Sequence, residues 1–130
     1  MSDTTESDLE KLLSTREIEV GKEKLTIREY SLIDSLALYQ VIDPFVEALA
    51  EVMKASEMPD VELVRSVMAD HKERIPELIG RAIDRPAAWV AKLSAADSLI
   101  LIDWWWVLNR AFFIGAATRK IRASQVNKKK

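Results

Sequence analysis

The spacing of apolar residues changes at Ser31, and that change constrains the fold more than any other feature of the chain. Before it, apolar residues alternate. Ile18 and Val20 face away from Glu17 and Glu19, and Leu25 and Ile27 repeat the pattern against Thr26 and Arg28. Gly21-Lys22-Glu23-Lys24 separates the two runs and supplies a glycine for the turn. The pattern predicts a β-hairpin over 16–30. Placing Val20 opposite Leu25 and Ile18 opposite Ile27 puts all four apolar side chains on one face. A lone hairpin is marginal in water, so that face has to lie on the helices that follow.

After Ser31 the period is helical. Ser31 or Asp34 can cap a helix carrying Leu32, Leu36, Tyr39, Val46, Leu49 and Met53, beside a second stripe of Leu38, Val41, Phe45, Ala48 and Val52. Asp43-Pro44 is expected to kink this helix or to start another. Met58-Pro59-Asp60 marks the next boundary. Val61, Val64, Val67 and Met68 then form a short amphipathic helix, and Ile75, Leu78, Ile79, Ala82 and Ile83 another, with Pro76 in its first turn. Asp84-Arg85-Pro86 opens a one- to two-turn helix, and Ser94 with Asp97 has capping-box spacing for a last helix from Ala95 to about Ile121. The expected fold is mainly α: a bundle of about five helices with an N-terminal β-hairpin.

The last helix is apolar nearly all round. At 100° per residue, Leu101, Trp105, Leu108 and Phe112 cluster and are expected, with Trp89 and Leu93, to build the core. Trp106, Val107, Phe113 and Ile114 fall on or beside the opposite face, with Asp103 and Arg110. An apolar face left over after the core is built is a contact site by default. The three tryptophans Trp104, Trp105 and Trp106 point in three directions, so one or two belong to the core. Residues 99–117 are as long as a membrane span, but Asp103 and Arg110 would each cost about 2.5–3.5 kcal/mol near the bilayer centre. The reading is the core helix of a soluble domain, with no membrane partner.

Composition narrows the chemistry. There is no cysteine and a single histidine among 130 residues. Thiolate zinc sites and cysteine nucleophiles are thereby excluded, and Asp70-His71 with Glu73 lacks the further ligands a metal site needs. The three glycines are far apart and form no phosphate loop. No catalytic residue, cofactor or metal is expected, and the chain reads as a non-enzyme. Residues 1–10 carry four acids and no base, whereas 119–130 carry six bases and no acid. The expected organisation is a flexible acidic segment over 1–14, one domain over 15–121 and a flexible basic tail over 122–130. The tail lacks interleaved aromatics, which argues against nucleic acid as its partner. The polar start, Met-Ser-Asp-Thr-Thr-Glu, has no apolar run, so a cytoplasmic location is expected.

Ile79-Gly80, then the run Asp84-Arg85-Pro86-Ala87-Ala88-Trp89-Val90-Ala91-Lys92-Leu93, Asp97, and finally Val107-Leu108-Asn109-Arg110-Ala111-Phe112-Phe113 resemble tail assembly chaperones of long-tailed bacteriophages, Mu-like ones above all. That family has a Gly/Arg-Pro-x-x-Trp-Leu-x-x-Leu entry followed by a helix ending Val-x-x-Asn-x-x-Phe-Phe. Leu25-Thr26-Ile27-Arg28 and the helix after it are similar to the family's opening, so the likeness covers about 16–115. The acidic N-terminal extension and the triple tryptophan depart from the pattern. The resemblance implies a holdase that coats the tape measure protein in the cytoplasm of the host during tail morphogenesis and is absent from the mature virion. On that reading Trp106, Val107, Phe113 and Ile114 contact the client helix. Two other classes use the same features. A structural interaction protein, such as a head–tail connector or homo-oligomeric scaffold, would self-associate through the apolar face. A small nucleic-acid-binding regulator would use Arg110 to Arg122 and the tail. In the family, ribosomal frameshifting near the stop codon often makes a longer form thought to recruit tail tube protein, and Lys128-Lys129-Lys130 offers a slippery stretch for it.

Overall fold

The computed structural model describes residues 15–56 and 58–128. Two antiparallel strands, β1 (Thr15–Val20) and β2 (Glu23–Arg28), form the hairpin. Ile18 lies opposite Leu25 and Val20 opposite Glu23, two positions away from the register expected above. The reason is the turn. Gly21 takes φ 63° at the first position of a two-residue connection, which matches the twist of the strands and is open to glycine at no steric cost. An even shift leaves every side chain on its original face. Ile18, Val20, Leu25 and Ile27 are accordingly all buried.

Six helices follow among the described residues: α1 (Leu32–Ala37), α2 (Tyr39–Met53), α3 (Val61–Asp70), α4 (Ile75–Ile83), α5 (Ala87–Ala91) and α6 (Ala95–Lys128). The protein is a small, mainly α bundle carrying an N-terminal hairpin, as the period change indicated. Ser31 caps α1 reciprocally: its Oγ accepts from Asp34 N at 3.1 Å, and Asp34 Oδ2 accepts from Ser31 N at 2.9 Å. The break in the first helical run falls at Leu38 rather than at Asp43-Pro44, and Pro44 lies inside α2. That break corrects the expected core. Leu38, Val41, Ile42, Phe45, Val46, Leu49, Ala50 and Met53 are buried, whereas Leu32, Leu36 and Tyr39 are exposed. The inward position of α1 is occupied by Asp34, a buried carboxylate, so the apolar residues around it face outward.

Asp60 caps α3, accepting from Leu63 N at 2.8 Å. The apolar positions expected in α4 are all buried. α4 stops at Asp84, which adopts φ 55°, ψ 43°, while Arg85 N donates to Gly80 O at 3.0 Å. A Cβ on Gly80 would stand 2.5 Å from the Arg85 carbonyl oxygen, so only glycine allows the chain to fold back here. Trp89 and Leu93 pack half-buried beside the core.

The 34-residue α6 is about 51 Å long at 1.5 Å per residue and packs on the hairpin, on α2 and on α4. It continues to Lys128, past the Ile121 end expected. Arg122, Ala123, Gln125 and Lys128 favour helix, and no proline or glycine stops it. The segment expected to be a flexible tail is therefore helical as far as it is described; Lys129 and Lys130 lie outside the described residues, as does the acidic segment over 1–14.

Candidate interaction surface

The buried side of α6 is built on a step of four. Leu101, Trp105, Asn109, Phe113 and Ala117 are all fully buried, with Trp106 nearly so. Each step of four advances about 40° around the helix, so the buried face rotates along α6. The expected core stripe advanced by alternating three and four and left the true seam after Trp105. Leu108 and Phe112 are consequently only half-buried. Of the expected contact residues, Trp106 and Phe113 are core instead. Phe113 lies edge-on to Phe45 at 5.3 Å and stacks on Trp106 at 6.2 Å between ring centres. Val107 is 47% exposed and Ile114 half-buried, so the structure brings these two toward a surface that the other two do not share.

Asn109, quoted above within the family-like motif, clamps the link between β2 and α1. Its Oδ1 accepts from Tyr30 N at 2.9 Å, and its Nδ2 donates to Trp105 O at 3.2 Å and Arg28 O at 3.4 Å. Tyr30 gives its hydroxyl proton to Leu78 O and accepts from Trp105 Nε1 at 3.0 Å. Burial pushes the Tyr30 phenol above its ordinary range. Beside it, Asp34 takes Arg28 and the Arg81 Nε at 2.7 Å, while Arg28 also donates to Arg81 O at 2.7 Å and Asp84 Oδ1 at 3.1 Å. Burial would raise the Asp34 carboxyl, but Arg28, Ser31 and Arg81 outweigh it and hold the group well below the usual carboxylate range. The hydrogen bond from Arg28 to Asp34 raises the Arg28 guanidinium in turn. Every buried side-chain polar atom among the described residues has a partner. This cluster ties β2, α1, α4 and α6 together, and the motif residues Gly80, Asp84 and Asn109 serve it structurally. Sequence reading missed it; the one signal was Ser31-x-x-Asp34, the capping-box spacing inside an apolar stripe.

His71 ends α3 with Nδ1 3.1 Å from Val67 O and its ring edge-on to Phe45. Asp103 and Arg110 are both exposed on α6. Among the described residues, no three His, Cys, Asp or Glu side chains are grouped to hold a metal.

Several large apolar side chains also remain uncovered. Leu32, Ile33, Leu36 and Tyr39 are exposed on and just after α1, Leu32 by 72%. Leu99, Ile100 and Val107 are exposed along α6. Residues Ala95–Val126 of α6 are long and apolar enough to cross a membrane by length and composition, a test that core helices of soluble proteins also pass. Of its most apolar window 28% is buried, and Ile102, Trp104, Leu108, Phe112 and Ile114 are half-buried against the core, which leaves a narrower strip of α6 in solvent.

The model of a family of unknown function, DUF6631, matches residues 8–130. The chain belongs to DUF6631. No curated protein and no solved structure matches it. For this DUF6631 member the match spans the hairpin and all six helices, so the polar clamp and the uncovered faces both lie within the family's own domain.

Proposed function

We propose that this protein is a tail assembly chaperone that holds the tape measure protein of a long-tailed phage until the tail tube assembles. The reading rests on the resemblance to that family over about residues 16–115, whose specific part is confined to 80–113. The structural observation that supports it is the outer face of α6, where Leu99, Ile100 and Val107 stay in water. A long client helix with an apolar stripe would bury those side chains reversibly, helix against helix, without nucleotide or catalytic group. The contact set consistent with the structure is Leu99, Ile100 and Val107 flanked by Ile114, in place of the buried Trp106 and Phe113.

Co-expression tests the proposal. The tape measure chain from the same genome should be soluble with this protein and aggregate without it. Ile100→Asp with Val107→Asp should stay folded by circular dichroism and lose that solubilisation. A folded double variant that still keeps the client soluble would move the contact off α6. A client equally soluble without the protein would end the chaperone reading.

A further inference from the structure

The hairpin aims the start of the chain along α6. A Cβ on Gly21, at the turn, would lie 3.4 Å from Asp97 Oδ2, near the beginning of α6. Arg16, at the other end of β1, stacks its guanidinium 4.2 Å over the Trp104 ring. β1 therefore runs antiparallel to α6, and residues upstream of Thr15 set out toward the C-terminal half of that helix. Ahead of them, at three- and four-residue spacing from Trp104, lie Leu108, Ala111, Gly115, Thr118 and Arg122. Ala111, Gly115 and Arg122 are exposed, Leu108 and Thr118 are half-buried, and a Cβ on Gly115 would meet nothing within 4 Å. This face carries no charge from Leu108 to Thr118 and is basic at its end. Its side chains there are aliphatic or small, and threonine adds a methyl beside its hydroxyl. Arg119 and Arg122 are exposed and make no ion pair among the described residues. Lys120, by contrast, is already bound to Asp43 at 2.7 Å and Glu47 at 3.5 Å.

The upstream segment has the matching chemistry. Residues 1–14 hold Leu9, Leu12 and Leu13 close to the hairpin, and Asp3, Glu6, Asp8 and Glu10 mostly beyond them, against one base, Lys11. Fourteen residues extend to about 46 Å, while Trp104 to Arg122 is about 27 Å of helix, so the acids reach the arginines with length to spare. We propose that residues 1–14 of this chain dock on the α6 face of Leu108, Ala111, Gly115 and Thr118, the leucines covering it and the acids pairing with Arg119 and Arg122.

Two grooves compete for the segment and fit it less well. The larger, about 970 Å³ between α2 and the end of α6, is edged by Glu47 and Glu51, and its Lys54 and Lys120 are engaged by those acids and Asp43. The other, about 320 Å³ with Arg65 and Lys72 at its rim, includes Ser98, Leu101 and Ile102, back toward the start of α6. The docking needs no client. Leu99, Val107 and Ile114, among the client contacts proposed above, lie outside this face, so the docking and the chaperone reading stand or fall separately.

The chain has no cysteine, so Ser7→Cys in the full-length protein gives a unique position for a nitroxide label. The label should broaden amide signals from Ala111 to Arg122 and leave those of α3 and α4 sharp. The broadening should fade in 1 M salt, where the Debye length is about 3 Å. It should also be lost in Arg119→Glu/Arg122→Glu and return when Glu6, Asp8 and Glu10 are changed to Lys in that background. Broadening centred on Arg65 and Lys72, or spread evenly, would overturn the proposal. So would broadening carried between molecules in a mixture of labelled and isotope-enriched chains, and so would indifference to both salt and charge reversal.

Discussion

Replacing Asn109 by leucine tests whether the β2–α1 link is held by one side chain. Leucine has similar bulk and no polar atom. Asn109 is fully buried, so the Tyr30 N–H it now satisfies at 2.9 Å would face apolar atoms. Leaving such a donor unpaired costs about 1–3 kcal/mol. The longer bonds from Nδ2 to Trp105 O and Arg28 O are lost as well, and the branched side chain has to be fitted against Trp105 and Phe113, adding about 1 kcal/mol. The expected loss is about 2–4 kcal/mol, a large part of the ~5–15 kcal/mol that stabilises a domain of this kind. Urea unfolding followed by far-UV circular dichroism reads it as a midpoint lowered by about 1–2 M, since m is ~1–3 kcal/mol/M. Asn109→Asp keeps an acceptor for Tyr30 but buries an unpaired charge beside two carbonyls, so it should be the worse variant at neutral pH. Arg110→Leu, one residue along and exposed, should stay within about 0.5 kcal/mol of the parent. An Asn109→Leu protein as stable as Arg110→Leu would refute the clamp.

Three further outcomes follow from the same geometry. Phe113→Asp should unfold the domain, by more than about 4 kcal/mol, because it places a charge among Tyr30, Phe45 and Trp105, whereas Val107→Asp should leave the melting curve nearly unmoved; equal stabilities would reverse the assignment of faces. Asp34 is held below its ordinary range in the folded state, so its contribution is present above the unfolded value of about 3.9 and drains away as pH falls from there toward the lower folded value. Asp34→Asn should be less stable at pH 7, and the gap to the parent should narrow on acidification; a gap independent of pH between 7 and 2 would count against the ion pairs. Gly80→Ala forces a methyl to 2.5 Å from the Arg85 carbonyl and should cost about 1–3 kcal/mol in thermal melts, where an unchanged melting temperature would show that the α4–α5 turn has room.

Local chemistry was legible in the residues themselves. Alternation before Ser31 and helical spacing after it are properties of neighbours in the chain, and the hairpin, the caps at Ser31 and Ser94, and the α4 core positions all follow from them. The strand register escaped because a shift of two leaves every face unchanged; only the Gly21 turn tells the two registers apart. α1 was misread because a three-to-four stripe says which residues share a face, not which way the face points. Arg28 and Arg81, far apart in sequence, draw Asp34 inward and turn Leu32, Leu36 and Tyr39 to solvent. α6 is the extreme case. A helix apolar nearly all round has no preferred side, so its own sequence leaves the buried face undetermined. The hairpin, α2 and α4 pack against it at successive levels and select a seam stepping by four through Asn109 and Phe113. That selection is a sum over contacts between distant segments, and it decided which expected contact residues, Val107 and Ile114 rather than Trp106 and Phe113, lie toward the surface.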